Sequence, residues 1–278
     1  MKVFQAVTFH LQYQHANSRE NSVKNCEFVL HRFRDKFSDR DLESITHEET
    51  LDFLTTLTDG NKQATKRNRY AVLSAFYNFF INTSLPSLVN PCVNIIFKKI
   101  FRRPQIIQWK IIEKESVDEI IFRTMNSRNR LILELMARGG MRVGEVLKLT
   151  PADIDDRKLI IQEPKSGKES EAVYIPRKLQ DRLKSFVKDK EIKLPKRIFP
   201  ISYNTAWKMV KNSGKLVGIV LRPHDLRRHA ATYASRSGTP IEIISKVILR
   251  HADLSTTQRY LGKVNEEEAI RWLENLHG

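Results

Sequence analysis

Residues 158–176 read KLIIQEPKSGKESEAVYIP. Two short runs rich in β-branched and aromatic residues, KLIIQ at 158–162 and AVYIP at 172–176, flank PKSGKESE, a stretch of turn-forming and charged residues. The pattern predicts a β-hairpin with Gly167 near its tip. Outward from it the periodicity turns helical. Upstream, the helix from Arg130 to Arg138 stops at Gly139 and Gly140, and a short helix runs from Arg142 to Lys148. Downstream, helices resume after Pro176 and reach the end, apart from loops near Pro195 and Gly218. In the first hundred residues Cys26, Val29, Leu30, Phe33 and Phe37 recur at the three-and-four spacing of one helical face. Thr46 and Glu49 form a capping box for a helix through Leu51, Leu54 and Leu57, which Gly60 can end. A third helix, from after Asn61 to about Asn82, buries Tyr70, Leu73, Phe76, Tyr77 and Phe80. The expected fold class is mainly α with a small β-sheet or hairpin in the C-terminal part.

With 278 residues, 41% of them apolar and 29% charged, the chain can bury a sizeable core and suits two domains. We place a helical domain at 1–100, a basic linker at 101–113 interrupted by Pro104, and a second domain at 114–278. Lys and Arg number 48 against 32 Asp and Glu, a formal +16 that argues for a polyanionic partner, with nucleic acid ahead of an anionic membrane surface. Residues 1–100 hold 13 basic and 10 acidic side chains, so +3 lies there and +13 in the rest. No apolar run approaches the ~18 residues of a membrane span. The N-terminus carries His10, Gln12, Gln14 and His15 where a secretory signal has an apolar core. Cys26 and Cys92 stand far apart, so neither a disulfide framework nor a cysteine zinc site is expected, and a reducing cytoplasm fits best. Lys62, Lys66, Arg67 and Arg69 crowd the start of the third helix, the wrong end for cations by the helix dipole, and a phosphate backbone would give them a reason to be there.

Four segments supply chemistry-bearing residues: Arg142 in GGMRVGEVLKL, Lys165 in PKSGK, His224 and Arg227 in RPHDLRRH, and His251 and Tyr260 in LRHADLSTTQRYLG. Singly each has a plain reading: a solvated arginine, a helix-capping or packing histidine, a half-buried tyrosine. Together and in this order they resemble the tyrosine recombinase family, the phage integrases and Xer-like site-specific recombinases, over about residues 115 to 262. The pattern shared is an arginine in a Gly-x-Arg-x-x-Glu context (Gly140, Arg142, Glu145), a lysine on a hairpin, a His-x-x-Arg, and a histidine nine residues before a tyrosine.

The resemblance implies a two-domain, C-shaped clamp that closes on a double-stranded DNA recombination site. It implies Tyr260 as nucleophile and 3′-phosphotyrosine carrier, and His251 as hydrogen-bonded to a nonbridging oxygen. Glu145 would orient the cluster, and exchange would proceed through a Holliday junction in a tetramer of this chain on DNA, or with a paralogous recombinase partner. Lys62, Lys66, Arg67, Arg69, Arg228 and Arg250 are expected DNA contacts. The chain departs from the pattern at Leu249-Arg250-His251, where Leu-Gly-His is common, at Leu226-Arg227-Arg228-His229, where Leu-Arg-His-Thr is common, and at Glu169-Ser170-Glu171, where an arginine usually follows the hairpin lysine. The chain begins almost directly with the core-binding helices, so a separate arm-binding domain is not expected. The segment NEEEAIRWLENLHG is expected to form an amphipathic helix with Trp272 on its apolar face; the resemblance implies docking in a neighbouring protomer, and packing on its own catalytic domain is the alternative.

The chemistry stands without the family. Cleaving a phosphodiester with a tyrosine requires neutralising the charge that develops on the phosphoryl oxygens, and the guanidinium forks of Arg142 and Arg227 suit that task. A tyrosine hydroxyl, with a pKa near ~10, needs a proton acceptor, for which His224 is placed by its type. The departing 5′ oxygen needs a proton, and Lys165 can bring one. No cofactor is expected: there is no HExxH, no phosphate-cradling glycine loop, and Asp153, Asp155 and Asp156 precede a strand as turn residues, so no metal site is read from them. A type IB topoisomerase-like activity and a catalytically silent DNA-binding protein are the alternatives.

Overall fold

The N-terminal half owes its shape to aromatic residues that helical periodicity sends to one side. The computed structural model describes the chain apart from residues 104–110, 165–168, 259–260, 262–269, 271–272 and 275–278. The chain divides into two units, Met1–Ile107 and Gln108–Gly278. The first holds α1 (Val3–Asn17), α2 (Glu20–Phe37), α3 (His47–Leu57), α4 (Gln63–Thr83) and α5 (Ile95–Ile100). Phe33 of α2 meets Phe53 of α3 edge-on at 5.3 Å, and Phe76 meets Phe80 within α4 at 5.3 Å. Such tilted ring pairs add to the burial that drives the packing.

Sequence periodicity did not single out α1. Val3, Ala6, Val7 and Leu11 are buried while Phe4, Phe9 and Tyr13 lie exposed, so apolar residues ring the helix and leave no clean stripe. Its buried His10 is pushed down to about 4 by burial, with its ring edge-on to Phe79 at 4.8 Å. The capping box of α3 is present: Glu49 N–H donates to Thr46 Oγ1 at 3.3 Å and Thr46 N–H to Glu49 Oε2 at 3.0 Å. The helix stops at Leu57, and Gly60, at φ +66°, turns the chain.

The second unit is built around α7 (Ser127–Arg138), which packs on α6 (Lys114–Arg123), α8 (Val143–Val146), α9 (Arg177–Asp189) and α11 (Pro223–Arg236). Leu131, Ile132, Leu133, Leu135 and Met136 are all buried, so α7 is apolar almost all round, as a central helix must be. Its one buried carboxylate, Glu134, takes two hydrogen bonds from Arg182, at 2.7 and 3.1 Å. The remaining helices are α10 (Tyr203–Lys215), α12 (Ile241–Ile243), which runs into a π-helical turn over Ile244–Ile248, and α13 (Leu254–Gln258).

An antiparallel sheet covers one side, with strands β1 (Ile154–Asp155), β2 (Lys158–Gln162) and β3 (Ser170–Tyr174) in that order. Leu159 stands opposite both Ile154 and Val173. The hairpin is therefore as expected in kind, but its second strand starts two residues earlier than 172. Ile175 N–H continues the ladder by one bond, to Arg157 O, and Pro176 then stands at the N-cap of α9. A strand was also overlooked. Asp155, read as a turn residue, pairs with Lys158, while Asp156 takes φ +42° in the two-residue turn between them. Asp153 is held in place by accepting from Thr150 N–H and Oγ1–H, both at 2.8 Å. No helix among the described residues is long and apolar enough to cross a membrane.

Candidate active site

The site begins with a glycine. Gly140 takes φ +60°, and a Cβ there would lie 2.9 Å from Ile248 O and 2.9 Å from its Cγ2, so only glycine lets the loop after α7 press on the π-helical turn. The loop delivers Arg142 to the N-cap of α8. Glu145, one turn on, accepts from Arg142 N–H at 2.9 Å and from Nη1–H at 2.6 Å, fixing backbone and guanidinium together. Arg142 is 26% exposed and Glu145 8%. Burial pushes the Glu145 carboxyl up, but Arg250 and the charge and hydrogen bonds of Arg142 outweigh it and hold the carboxyl below its ordinary range.

His224 and Arg227 sit in the first two turns of α11, which Pro223 opens at N1 and Asp225 caps by accepting Arg222 N–H at 2.9 Å. Arg227 is 1% exposed, and its Nη1–H and Nη2–H donate to the carbonyls of Gly140 and Leu249. One side chain thus ties α11 to the loop before α8 and to the end of the π-helical turn. His251 follows that turn. Its N–H bonds Ser245 O at 2.9 Å, and its Nδ1 lies 3.0 Å from Thr257 Oγ1, which donates to Ser245 Oγ at 2.9 Å.

Burial, then the charges of Arg227, Arg142, Arg250 and His224, push His251 down to about 4. Burial, then Arg227, Arg228 and Arg142, lower His224, against a weaker pull from Asp225. Both imidazoles are consequently neutral at pH 7. Fixed cationic charge beside neutral imidazoles can bind an anion and accept a proton.

The structure thus brings Arg142, Glu145, His224, Arg227 and His251 into one electrostatically coupled cluster. Lys165 and Tyr260 lie outside the described residues, as do the centre of the expected linker and most of the expected C-terminal helix, Trp272 included. The expected DNA contacts fare unevenly. Arg250 is buried, and its Nη2–H donates to Glu145 Oε2 at 2.6 Å. Arg228, 15% exposed, donates to Asp225 Oδ1 at 3.1 Å on its own helix. In the first unit Lys62 is exposed and Lys66 half-buried. Arg69 donates to Asn25 Oδ1 at 2.5 Å and lies 3.9 Å over the Phe28 ring, and Arg67 lies 4.9 Å over Tyr70. These two arginines have partners within the chain at the unfavourable helix end. Sequence reasoning missed Ser245 and Thr257, two small hydroxyls whose burial no spacing announces.

The unit is mainly helical with a three-stranded antiparallel sheet, and it gathers Arg142 and Arg227 with two histidines, His224 and His251, whose pKa values burial and cationic charge lower. Residues 110–267 match the model of the Phage integrase family. The chain is 31% identical over 222 residues to Tyrosine recombinase XerA of Pyrococcus furiosus, covering 74% of each chain. It is 25% identical over 266 residues to the XerA of Saccharolobus solfataricus, covering 93% of this chain and 88% of that one. The Tn1549 transposon integrase in complex with transposon right end DNA shares the fold, with a TM-score of 0.77 over the whole of both chains at 14% identity. A lambda integrase dimer bound to a core site gives 0.70 at 18% identity, over 94% of this chain and 77% of that one. The chain belongs to the phage integrase family, the tyrosine recombinases.

Proposed function

We propose that this site-specific recombinase cuts and rejoins duplex DNA through Tyr260, by a 3′-phosphotyrosine intermediate and a Holliday junction, without metal or nucleotide cofactor. The observation that carries the reading is the convergence of Arg142, His224, Arg227 and His251, from three separate segments, on one cluster in which burial and then the arginine charges depress both histidines. Arg142 presents a half-exposed fork to a phosphate, and Arg227, anchored on the carbonyls of Gly140 and Leu249, adds charge from a fixed position. His224, neutral at pH 7, takes the Tyr260 proton as the phenolic oxygen attacks phosphorus. His251 is neutral too. Because the Thr257 hydroxyl donates to Ser245, it accepts from His251 Nδ1–H and leaves Nε2 as an acceptor, so contact with the phosphate runs through a water or a protonated partner. Lys165 protonates the departing 5′ oxygen. Religation reverses the step, since the phosphotyrosine bond conserves the phosphodiester's energy.

On this reading four protomers, of this chain alone or with a paralogous partner, exchange strands of duplex DNA in sequence. Selection from a random duplex pool would supply a preferred site, and a supercoiled plasmid with two copies of it should yield deletion or inversion products. Relaxation without rearranged products would favour the topoisomerase-like alternative, and binding without strand cleavage the silent DNA-binding protein. A substrate with sulfur at the 5′ bridging position needs no proton to leave, so it should rescue Lys165→Ala and not Arg142→Ala. Rescue of Lys168→Ala instead would move the acid to Lys168.

A further inference from the structure

Arg250 occupies a conformation that favours glycine, φ +51°, and is buried, so its presence has two costs that a glycine would avoid. It is set in an alternating row of charges. Glu145 shares its two oxygens between Arg142, at 2.6 Å, and Arg250, at 2.6 Å. On its other side Arg250 Nε lies 3.4 Å from Oε2 of Glu171, itself 8% exposed, on β3. That approach is an ion pair without hydrogen-bond alignment, since neither atom has a hydrogen-bond partner among the described residues. Nη1–H of Arg250 donates to Ile248 O at 2.9 Å, and β3 packs on the π-helical turn that contains this carbonyl. Arg142, Glu145, Arg250 and Glu171 together carry no net charge. Without Arg250, Glu145 would be left to Arg142 alone and the Glu171 carboxylate would lose this ion pair.

We infer that Arg250 is a positioning residue: by sharing the Glu145 carboxylate it leaves the charge of Arg142 available to the phosphate, and through Glu171 it ties the setting of Arg142 to strand β3. The two departures from the family pattern, Arg250 and Glu171, thereby become one device.

The inference rests on the proposed cleavage by Tyr260, and the experiment separates the two. Single-turnover formation of the covalent adduct on a nicked selected site is measured beside duplex affinity for the wild type, Arg250→Gly, Glu171→Gln and the double variant. Arg250→Gly should slow adduct formation about tenfold while affinity stays within about twofold, the split expected when orientation of a group acting in the transition state is lost. Glu171→Gln should slow it about threefold, and the double variant should be no slower than Arg250→Gly, where independent effects would multiply to about thirtyfold. A rate for Arg250→Gly within about twofold of wild type, or multiplying rates, overturns the inference. Should Arg250→Gly fail to fold, Glu171→Gln decides: a slower rate at unchanged affinity supports the inference and an unchanged rate overturns it. A wild type that forms no adduct counts instead against the proposed function.

Discussion

At Gly140 a single hydrogen separates fit from clash, because the atoms a methyl would meet include a backbone carbonyl that cannot swing away. Gly140→Ala combines a left-handed φ with that contact, and should cost on the order of 2–4 kcal/mol in chemical denaturation. A loss below about 0.5 kcal/mol, the range of ordinary surface substitutions, would show that the loop and the π-helical turn are not in contact. The residue scale is also where pH acts. His251 titrates near about 6.5 when unfolded and at about 4 in the fold. The unfolded chain therefore binds a proton that the folded chain refuses between those values, and the stability tied to neutral His251 is whole above pH ~6.5 and lost as pH falls toward ~4. The wild type should lose more stability than His251→Gln over that window, with His10, His224 and His229 contributing equally to both. Parallel pH curves would contradict the depressed value.

The named cluster was legible because arginines and histidines are too costly to place by chance in this order, and chemistry fixes their type. The pairing of Arg250 was not legible for the converse reason: the two carboxylates beside it, Glu145 and Glu171, are distant in sequence. Ser245 and Thr257 were not legible at all, since a hydroxyl's burial is a property of the packing.

Among the elements, local rules succeeded where the signal is short and mechanical. The Thr46 and Glu49 cap forms as its spacing requires, and Thr46→Ala should lower the stability of the first unit by about 1 kcal/mol, read from its thermal or denaturant transition. An unchanged transition would mean that tertiary contacts alone set the start of α3. The hairpin was legible in kind and not in its bounds, because Ser170 and Glu171, polar and beside the turn, carry no strand signal although they pair with Gln162 and Ile161. At the other end Pro176, at the N-cap of α9, follows the last ladder bond, from Ile175 N–H to Arg157 O. The short strand Ile154–Asp155 was hidden by its acidic composition, and α1 by apolar residues on every side.

At the scale of the whole molecule the charge of +16 is the property that most constrains the partner. Exposed Lys62 and half-buried Lys66 are the cations at the start of α4 for which a phosphate contact remains the natural reading. Replacing both by alanine should reduce the slope of log affinity against log salt by about 0.9 per contact on duplex DNA. Arg69→Ala should instead lower stability, because it forfeits Asn25 and the Phe28 ring. An unchanged salt slope in the lysine double variant would mark those lysines as a solvated helix end. The central claim, cleavage by Tyr260, is tested most directly by the chemistry it leaves on the chain. After reaction with a nicked selected site that loses its 5′-hydroxyl fragment, nuclease and trypsin digestion should yield the peptide of residues 260–263 with a 3′-linked nucleotide on Tyr260, absent from Tyr260→Phe. A nucleotide on any other residue, or an undiminished adduct in Tyr260→Phe, would contradict the account.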